Sequence, residues 1–311
     1  MKYLVTAVGG DIGQAVVRIL RRLDEGGFIL GTDLYDDHAG RYRVDKFEIV
    51  PQAGDPSYVS RIVELSRRHE IDFVIPINEY EIQALKKSEQ VDAGLRSELI
   101  VARGPHVDVC FDKFVCNKFL ESKGIPLPWT QTADKIPPAY PCILKRRHGS
   151  GSKGLHVLQN EEEYRFFSER EKGSVLQQLL LPDSEEYTCG VFRARGADIV
   201  RVIVLKRKLF GGLTGSATVI ESAPVEDYCK RIAEALGLEG AVNVQLRLTK
   251  NGPRMFEINP RFSSTVGFRD AVGFRDLLWS MQQQKGDPID PFDSRKAIGK
   301  RFYRFFDEMY I

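Results

Sequence analysis

Residues 3 to 8 form a β-rich, largely apolar run that meets Gly9, Gly10 and Gly13, after which Ala15, Val16, Ile19, Leu20 and Leu23 recur at helical spacing. This pattern predicts a strand, a tight turn and a helix. Phe28 to Thr32 predicts a second strand ending at Asp33, Val59 to His69 a helix, and Phe73 to Ile77 a short strand closing at Asn78 and Glu79. Strands alternating with helices predict a Rossmann-like parallel sheet with helices on both faces. Near residue 105 the period changes. A helix over about 112–122 ends at Gly124, with Pro126 and Pro128 as stop signals. From Pro141 onward, glycine-rich and Asn-Gly turns join neighbouring strands, which predicts antiparallel sheets and a second, α+β fold type. The expected division is therefore 1–105, 106–175 and 176–311. No internal repeat or low-complexity segment is present.

Composition narrows the class of function. At 311 residues and 42% hydrophobic content the chain can bury sizeable cores. Its 45 basic and 43 acidic residues leave a formal charge of +2 with no block of either sign, so neither nucleic acid nor a membrane surface is an expected partner. Small molecules are. Five scattered cysteines without a C-x-x-C pair read as core thiols in a reducing cytoplasm. The apolar start is too short for a signal peptide, and no run approaches the ~20 apolar residues of a spanning helix.

The first glycines, Gly9-Gly10-Asp11-Ile12-Gly13, followed about 20 residues later by Asp33, have the layout of a dinucleotide-binding unit. They lack its G-x-G start. A plain tight turn, or a helix N-terminus holding another anion such as part of an acceptor substrate, fits equally. A second glycine cluster follows the apolar strand Pro141–Lys145 as His148-Gly149-Ser150-Gly151-Ser152-Lys153-Gly154, before a strand over 155–158. Backbone N–H groups of such a turn can wrap phosphate oxygens, although glycines alone would also suit a mobile hairpin. Lys145 favours phosphate, because a lysine ending an apolar strand needs an anion or a path to water.

The strongest local signal is Asn243-Val244-Gln245-Leu246-Arg247-Leu248, the turn Lys250-Asn251-Gly252, and Arg254-Met255-Phe256-Glu257-Ile258-Asn259-Pro260-Arg261. Alternation puts Gln245, Glu257 and Asn259 on one face and Val244, Leu246, Phe256 and Ile258 on the core face, and a short loop centred on Asn251 would set Gln245 opposite Glu257. Three hard oxygen donors then converge, as magnesium requires, and Arg261 stands by to neutralise a transferring phosphoryl group. A solvated polar sheet face is the plainer alternative.

These residues, in this order along nearly the whole chain, resemble the ATP-grasp superfamily, in the branch like the carbamoyl-phosphate synthase large subunit and the amino-acid ligase of pyrrolysine biosynthesis. The resemblance implies a Rossmann-like domain followed by two α+β subdomains that sandwich ATP. It assigns ATP phosphates to Lys113 of Asp112-Lys113, to Lys145 and to the loop residues Gly149, Ser150, Gly151, Ser152 and Gly154. It assigns adenine to the backbone of Gln178, Leu179 and Leu180, and ribose to Glu186. Gln245, Glu257 and Asn259 become ligands of two magnesium ions, for which manganese can substitute, and Arg261 joins Lys145 in catalysis. Gln178 stands where many relatives carry glutamate, and Gln245 is a neutral ligand. The implied activity is an ATP-dependent carboxylate–amine ligase that forms an amide through an acyl phosphate, releasing ADP and phosphate. Asn78, Glu79, Ser263, Ser264, Arg269 and Arg275 are candidates for holding substrate, and a homodimer is the default assembly. The rivals are a nicotinamide-dependent oxidoreductase built on the first domain, which leaves 245–261 unexplained, and a nucleotide-binding sensor without turnover.

Overall fold

The computed structural model describes residues 1–91, 95, 97–149, 154–196, 199–305 and 307–311. The chain begins with β1 (Lys2–Val5), α1 (Asp11–Leu23), β2 (Phe28–Asp33), β3 (Lys46–Ile49), α2 (Tyr58–His69), β4 (Phe73–Ile75), α3 (Glu79–Val91) and β5 (Glu98–Leu99). The strands form one parallel sheet in the order β3-β2-β1-β4-β5. Strand alternation covers both faces. Tyr3, Val5 and Ile29 pack with Val16, Ile19 and Leu20 of α1, while Leu4, Leu30 and Val74 pack with Tyr58, Ile62 and Leu65 of α2. β3 escaped the sequence reading because Lys46–Ile49 is short and only half-buried.

Next come α4 (Lys113–Ser122), β6 (Thr130–Thr132), β7 (Cys142–Lys145), β8 (His156–Leu158), α5 (Glu161–Arg170) and β9 (Val175–Gln178), which make an antiparallel sheet in the order β6-β9-β7-β8. The third sheet is also antiparallel. It contains β10 (Glu186–Arg193), β11 (Val200–Phe210), β12 (Leu213–Val219), then after α6 (Ala223–Leu236) β13 (Gly240–Thr249) and β14 (Gly252–Asn259), and after α7 (Val266–Ala271) and α8 (Asp276–Lys285) the short β15 (Arg301–Tyr303). Its order is β14-β13-β10-β11-β12-β15.

The two faces of this largest sheet have different fates. On one, Cys189, Val191, Val204, Val244 and Leu246 are sealed by Ile232, Ala233 and Leu236 of α6. On the other, Phe192, Ile203 and Leu205 join Leu277 and Trp279 of α8, and this apolar layer runs on into Val16 and Ile19 of α1. The parallel-sheet unit thus shares a core with the C-terminal helices, across the boundary expected at 105. The remainder of that second face carries polar side chains.

The glycine turn after β1 is filled by the protein itself. Gly9 N–H donates to Asp33 Oδ2 at 2.8 Å, and Leu34 N–H to Asp33 Oδ1 at 2.7 Å, so the acid that a dinucleotide ribose would need is already engaged. A Cβ on Gly13 would meet the Ala7 carbonyl oxygen at 2.4 Å. Gly13→Ala is expected to destabilise the protein by about 1–3 kcal/mol through backbone displacement, read as a lower midpoint in thermal or urea unfolding. An unchanged midpoint would mean that the turn has slack. All five cysteines are buried and unpaired, and no helix among the described residues is long and apolar enough to cross a membrane.

Candidate active site

The site begins at the start of α4. Asp112 caps the helix by accepting from Phe114 N–H and Val115 N–H, both at 3.0 Å, and both of its oxygens accept from Arg147 Nε, at 2.9 and 2.8 Å. The guanidinium holds the Asp112 carboxyl below its ordinary range against the opposing effect of partial burial. This clamp fixes Lys113, whose Nζ donates to the Gly149 carbonyl at the root of the glycine loop. Ser150, Gly151 and Ser152 lie outside the described residues.

Lys145, at the end of β7, is only 6% exposed, and its Nζ donates to Gln177 Oε1 at 2.8 Å and to the Phe256 carbonyl at 2.6 Å. Burial pushes its pKa down to about 8, with nearby Glu257 pulling the other way. Gln177 is oriented in turn by donating to Thr130 Oγ1 at 3.0 Å. Gln177, rather than the exposed Gln178, is therefore the hinge side chain that reaches the lysine. The ladder register carries the signal, since Gln177 lies opposite Ile143 and shares a face with Lys145 two residues on. Of the other hinge groups, Gln178 N–H donates to the Trp129 carbonyl at 3.0 Å and the Leu180 carbonyl accepts from Arg247.

Across from Lys145, the largest sheet brings its polar side chains together in rows. Thr188, Gln245 and Glu257 are directly opposite one another across three strands, and Gly190, Asn243 and Asn259 form the next row. The expected pairing of Gln245 with Glu257 is present, reached by two offsets. The turn comprises two residues between Thr249 and Gly252, and the register then shifts between Gln245 and Leu246. This β-bulge leaves Phe256 as the extra residue. Met255 therefore takes the core position expected for Phe256, while the freed Phe256 carbonyl meets Lys145.

Asn259 connects the row to its neighbours, with Nδ2 donating to Glu257 Oε1 at 3.1 Å and Oδ1 accepting from Arg261 Nη2 at 2.8 Å. Arg261 also pairs with Glu79 at 3.4 Å, and both side chains are almost fully buried. Burial pushes the Glu79 carboxyl up, against the pull of Arg261. Gln245 Oε1 accepts from Arg207 Nη2 at 2.7 Å. Arg207 is itself paired with Glu186, whose other oxygen accepts from Arg247 Nη2 at 2.6 Å. The expected ribose carboxylate is thus bracketed by two arginines. No group of three or more His, Cys, Asp or Glu side chains is placed to hold a metal among the described residues. A cation here would rest on Glu257 with amide oxygens beside it, a hard-oxygen set that suits magnesium completed by water and phosphate.

Two cavities meet at Glu257. One, of about 340 Å³, is lined by Asn78, Glu79, Lys113, Lys145, His148 and Gly149 as well as Glu257. The other, of about 200 Å³, has Asp11, Thr188, Asn243, Asn259, Ser263 and Ser264 in its wall beside Glu257 and Arg261. Four substrate candidates, Asn78, Glu79, Ser263 and Ser264, line these spaces. The two arginines do not. Arg269 is wholly buried, paired with Asp276 at 2.5 Å and donating to Ser263 Oγ at 2.7 Å and Thr265 Oγ1 at 3.0 Å, so it stiffens the wall from behind. It fits there because Gly190 has no side chain: a Cβ would come within 2.6 Å of Arg269 Cδ. Arg275 is exposed at the start of α8. Arg207, Gln177, Asn243, Thr188, Asp11 and His148 are among the site residues absent from the sequence candidates.

Residues 174–298 match the family described as ATP-grasp in the biosynthetic pathway with Ter operon, and residues 4–96 match the PylC-like N-terminal domain. The carbamoyl phosphate synthase large chain of Methanocorpusculum labreanum is 23% identical over 274 residues, which cover 78% of this chain and 23% of that protein. The chain thus spans about a quarter of the length of that relative. Among solved structures, N5-carboxyaminoimidazole synthetase from Staphylococcus aureus complexed with ADP superposes with a TM-score of 0.73 at 15% identity, over 93% of this chain and 78% of that one. The L-amino acid ligase from Bacillus licheniformis gives 0.68 at 16% identity, over 95% and 75%. With residues 4–96 matched to the PylC-like N-terminal domain, residues 174–298 to an ATP-grasp family and the fold shared over 93% of its length, the chain carries an ATP-grasp unit behind a PylC-like domain.

Proposed function

We propose that this protein is an ATP-dependent carboxylate–amine ligase. The observation that carries the reading is the meeting of two cavities at Glu257, one walled by Lys113, Lys145 and the root of the glycine loop, the other by hydroxyl and amide side chains suited to a small polar substrate. Magnesium-ATP supplies the phosphoryl group that converts a carboxylate to an acyl phosphate, which an amine opens to an amide with release of ADP and phosphate.

The chain's own residues divide the remaining work. Lys113 and Lys145 offset phosphate charge, and the buried site makes that attraction stronger than it would be in water. Glu257, with Asn259 beside it, would hold magnesium. Arg261, aligned by Glu79, faces charge that builds up on the reacting oxygens. The nucleoside end is assigned to residues 178–180 and Glu186 on the family resemblance. The identities of acid and amine are left to a substrate screen.

Thermal unfolding tests this reading. Magnesium-ATP at about 100 times its Kd is expected to add roughly 2.7 kcal/mol of stability, seen as a higher Tm, while NAD leaves Tm unchanged. A rise with NAD and none with magnesium-ATP would overturn it.

A further inference from the structure

The family resemblance implies two magnesium ions held by Gln245, Glu257 and Asn259. We propose instead that this site takes a single divalent cation on the Glu257 side, and that the Arg207 guanidinium supplies the second positive charge. The inference rests on the magnesium-nucleotide reading above.

Arg207 reaches the site from β11, two strands away from Gln245, and its side chain is 8% exposed. Nε and Nη2 both contact Glu186 Oε1, at 3.0 and 2.8 Å, and the same Nη2 donates to Gln245 Oε1 at 2.7 Å. A cation seated on that oxygen would face a fixed positive group at close range. Arg207 cannot readily withdraw, because Glu186 would be left buried with Arg247 alone, and Arg247 is shared with Asp183.

The anionic side of the ledger points the same way. Glu257 is the single carboxylate in the two rows that face Lys145. Glu79 and Asp11, the other carboxylates lining the two cavities, face Arg261 and Arg304 respectively. Asn259 Oδ1 is likewise engaged by Arg261. Two divalent ions would bring four positive charges to a site that already holds Lys113, Lys145, Arg207 and Arg261. One ion adds two, with Arg207 already in place as the second positive group, and Gln245 serves to aim the guanidinium.

The test counts bound manganese by electron paramagnetic resonance in the presence of saturating β,γ-methylene-ATP, with bound nucleotide measured separately by equilibrium dialysis. One manganese per nucleotide is expected in the wild type and two in Arg207→Gln. The double variant Glu186→Gln/Arg207→Gln removes the orphaned carboxylate while keeping an amide able to hydrogen-bond the ribose, is measured at a nucleotide concentration raised until dialysis shows the site filled, and is also expected to bind two. Two ions in the wild type, or one in the folded Arg207 variants, overturns the proposal. Absence of nucleotide from the wild type would instead sink the nucleotide reading on which it stands.

Discussion

Glu257→Gln is expected to lower magnesium-dependent phosphate release from ATP by at least roughly 10³-fold, measured with the carboxylate–amine pair that gives the highest wild-type rate. The substitution keeps the shape of the side chain and removes its charge. Glu257 lies opposite Gln245, accepts from Asn259 at 3.1 Å and borders both cavities, so the loss falls where the two cavities join. An amide can still meet Asn259 after a flip, and the fold should be nearly unaffected, with unliganded stability within about 0.5 kcal/mol of wild type. Activity lost together with several kcal/mol of stability would assign Glu257 a structural role. Retained activity would remove it from the mechanism.

Lys145→Met is expected to weaken nucleotide triphosphate binding by about 10²-fold and to abolish a pH dependence that the wild type should possess. The buried ammonium has its pKa lowered from 10.5 to about 8. An anionic ligand favours the charged form, so wild-type affinity should be flat below about pH 8 and fall, by up to tenfold per pH unit, above it. The unliganded protein should respond in the opposite sense. Between about pH 8 and 10.5 the unfolded chain binds this proton more tightly than the folded one, so stability rises with pH across that window. Below it, the charged form costs roughly 3 kcal/mol. Calorimetric titration of wild type and variant at pH 7 and pH 9 reads the first effect; equal pH profiles in the two proteins would show that Lys145 is not the titrating group. Unfolding over the same range reads the second.

Local signals carried much of this molecule in its sequence. The glycines after β1, the period change near residue 105 and the Asn251-Gly252 turn each act through backbone conformation or strict alternation, and each placed its element within a few residues. The pairing of Gln245 with Glu257, expected from a loop centred on Asn251, is met through two compensating offsets. A two-residue turn alone would set Gln245 against Phe256, and the bulge restores Glu257 to that position. A bulge needs no special residue when its extra carbonyl finds a donor elsewhere, here Lys145 from another sheet, so alternation in one strand could not disclose it. Arg207 and Arg269 were unreadable or misread for a similar reason. Each is defined by a partner on a different element, Arg207 by Glu186 on β10 and Arg269 by Asp276 at the start of α8. The sequence reveals that an arginine is present, but whether it faces a cavity or a buried carboxylate depends on three-dimensional pairing. Gln177 and Gln178 show how narrow the margin is, since adjacent strand residues point to opposite faces.

Arg304 clasps the wall of the smaller cavity, with Nε donating to the Thr214 carbonyl at 3.1 Å, Nη2 to the Ser264 carbonyl at 2.6 Å and Nη1 lying 3.5 Å from Asp11. Asp11 stands near the start of the sequence and Arg304 near its finish, and Arg22 and Asp270, 248 residues apart, add a second tie between the same regions. The wall of this cavity therefore joins segments far apart in the chain, and it can close only after the elements carrying both partners of each tie have formed, so it is a late, long-range contact in folding.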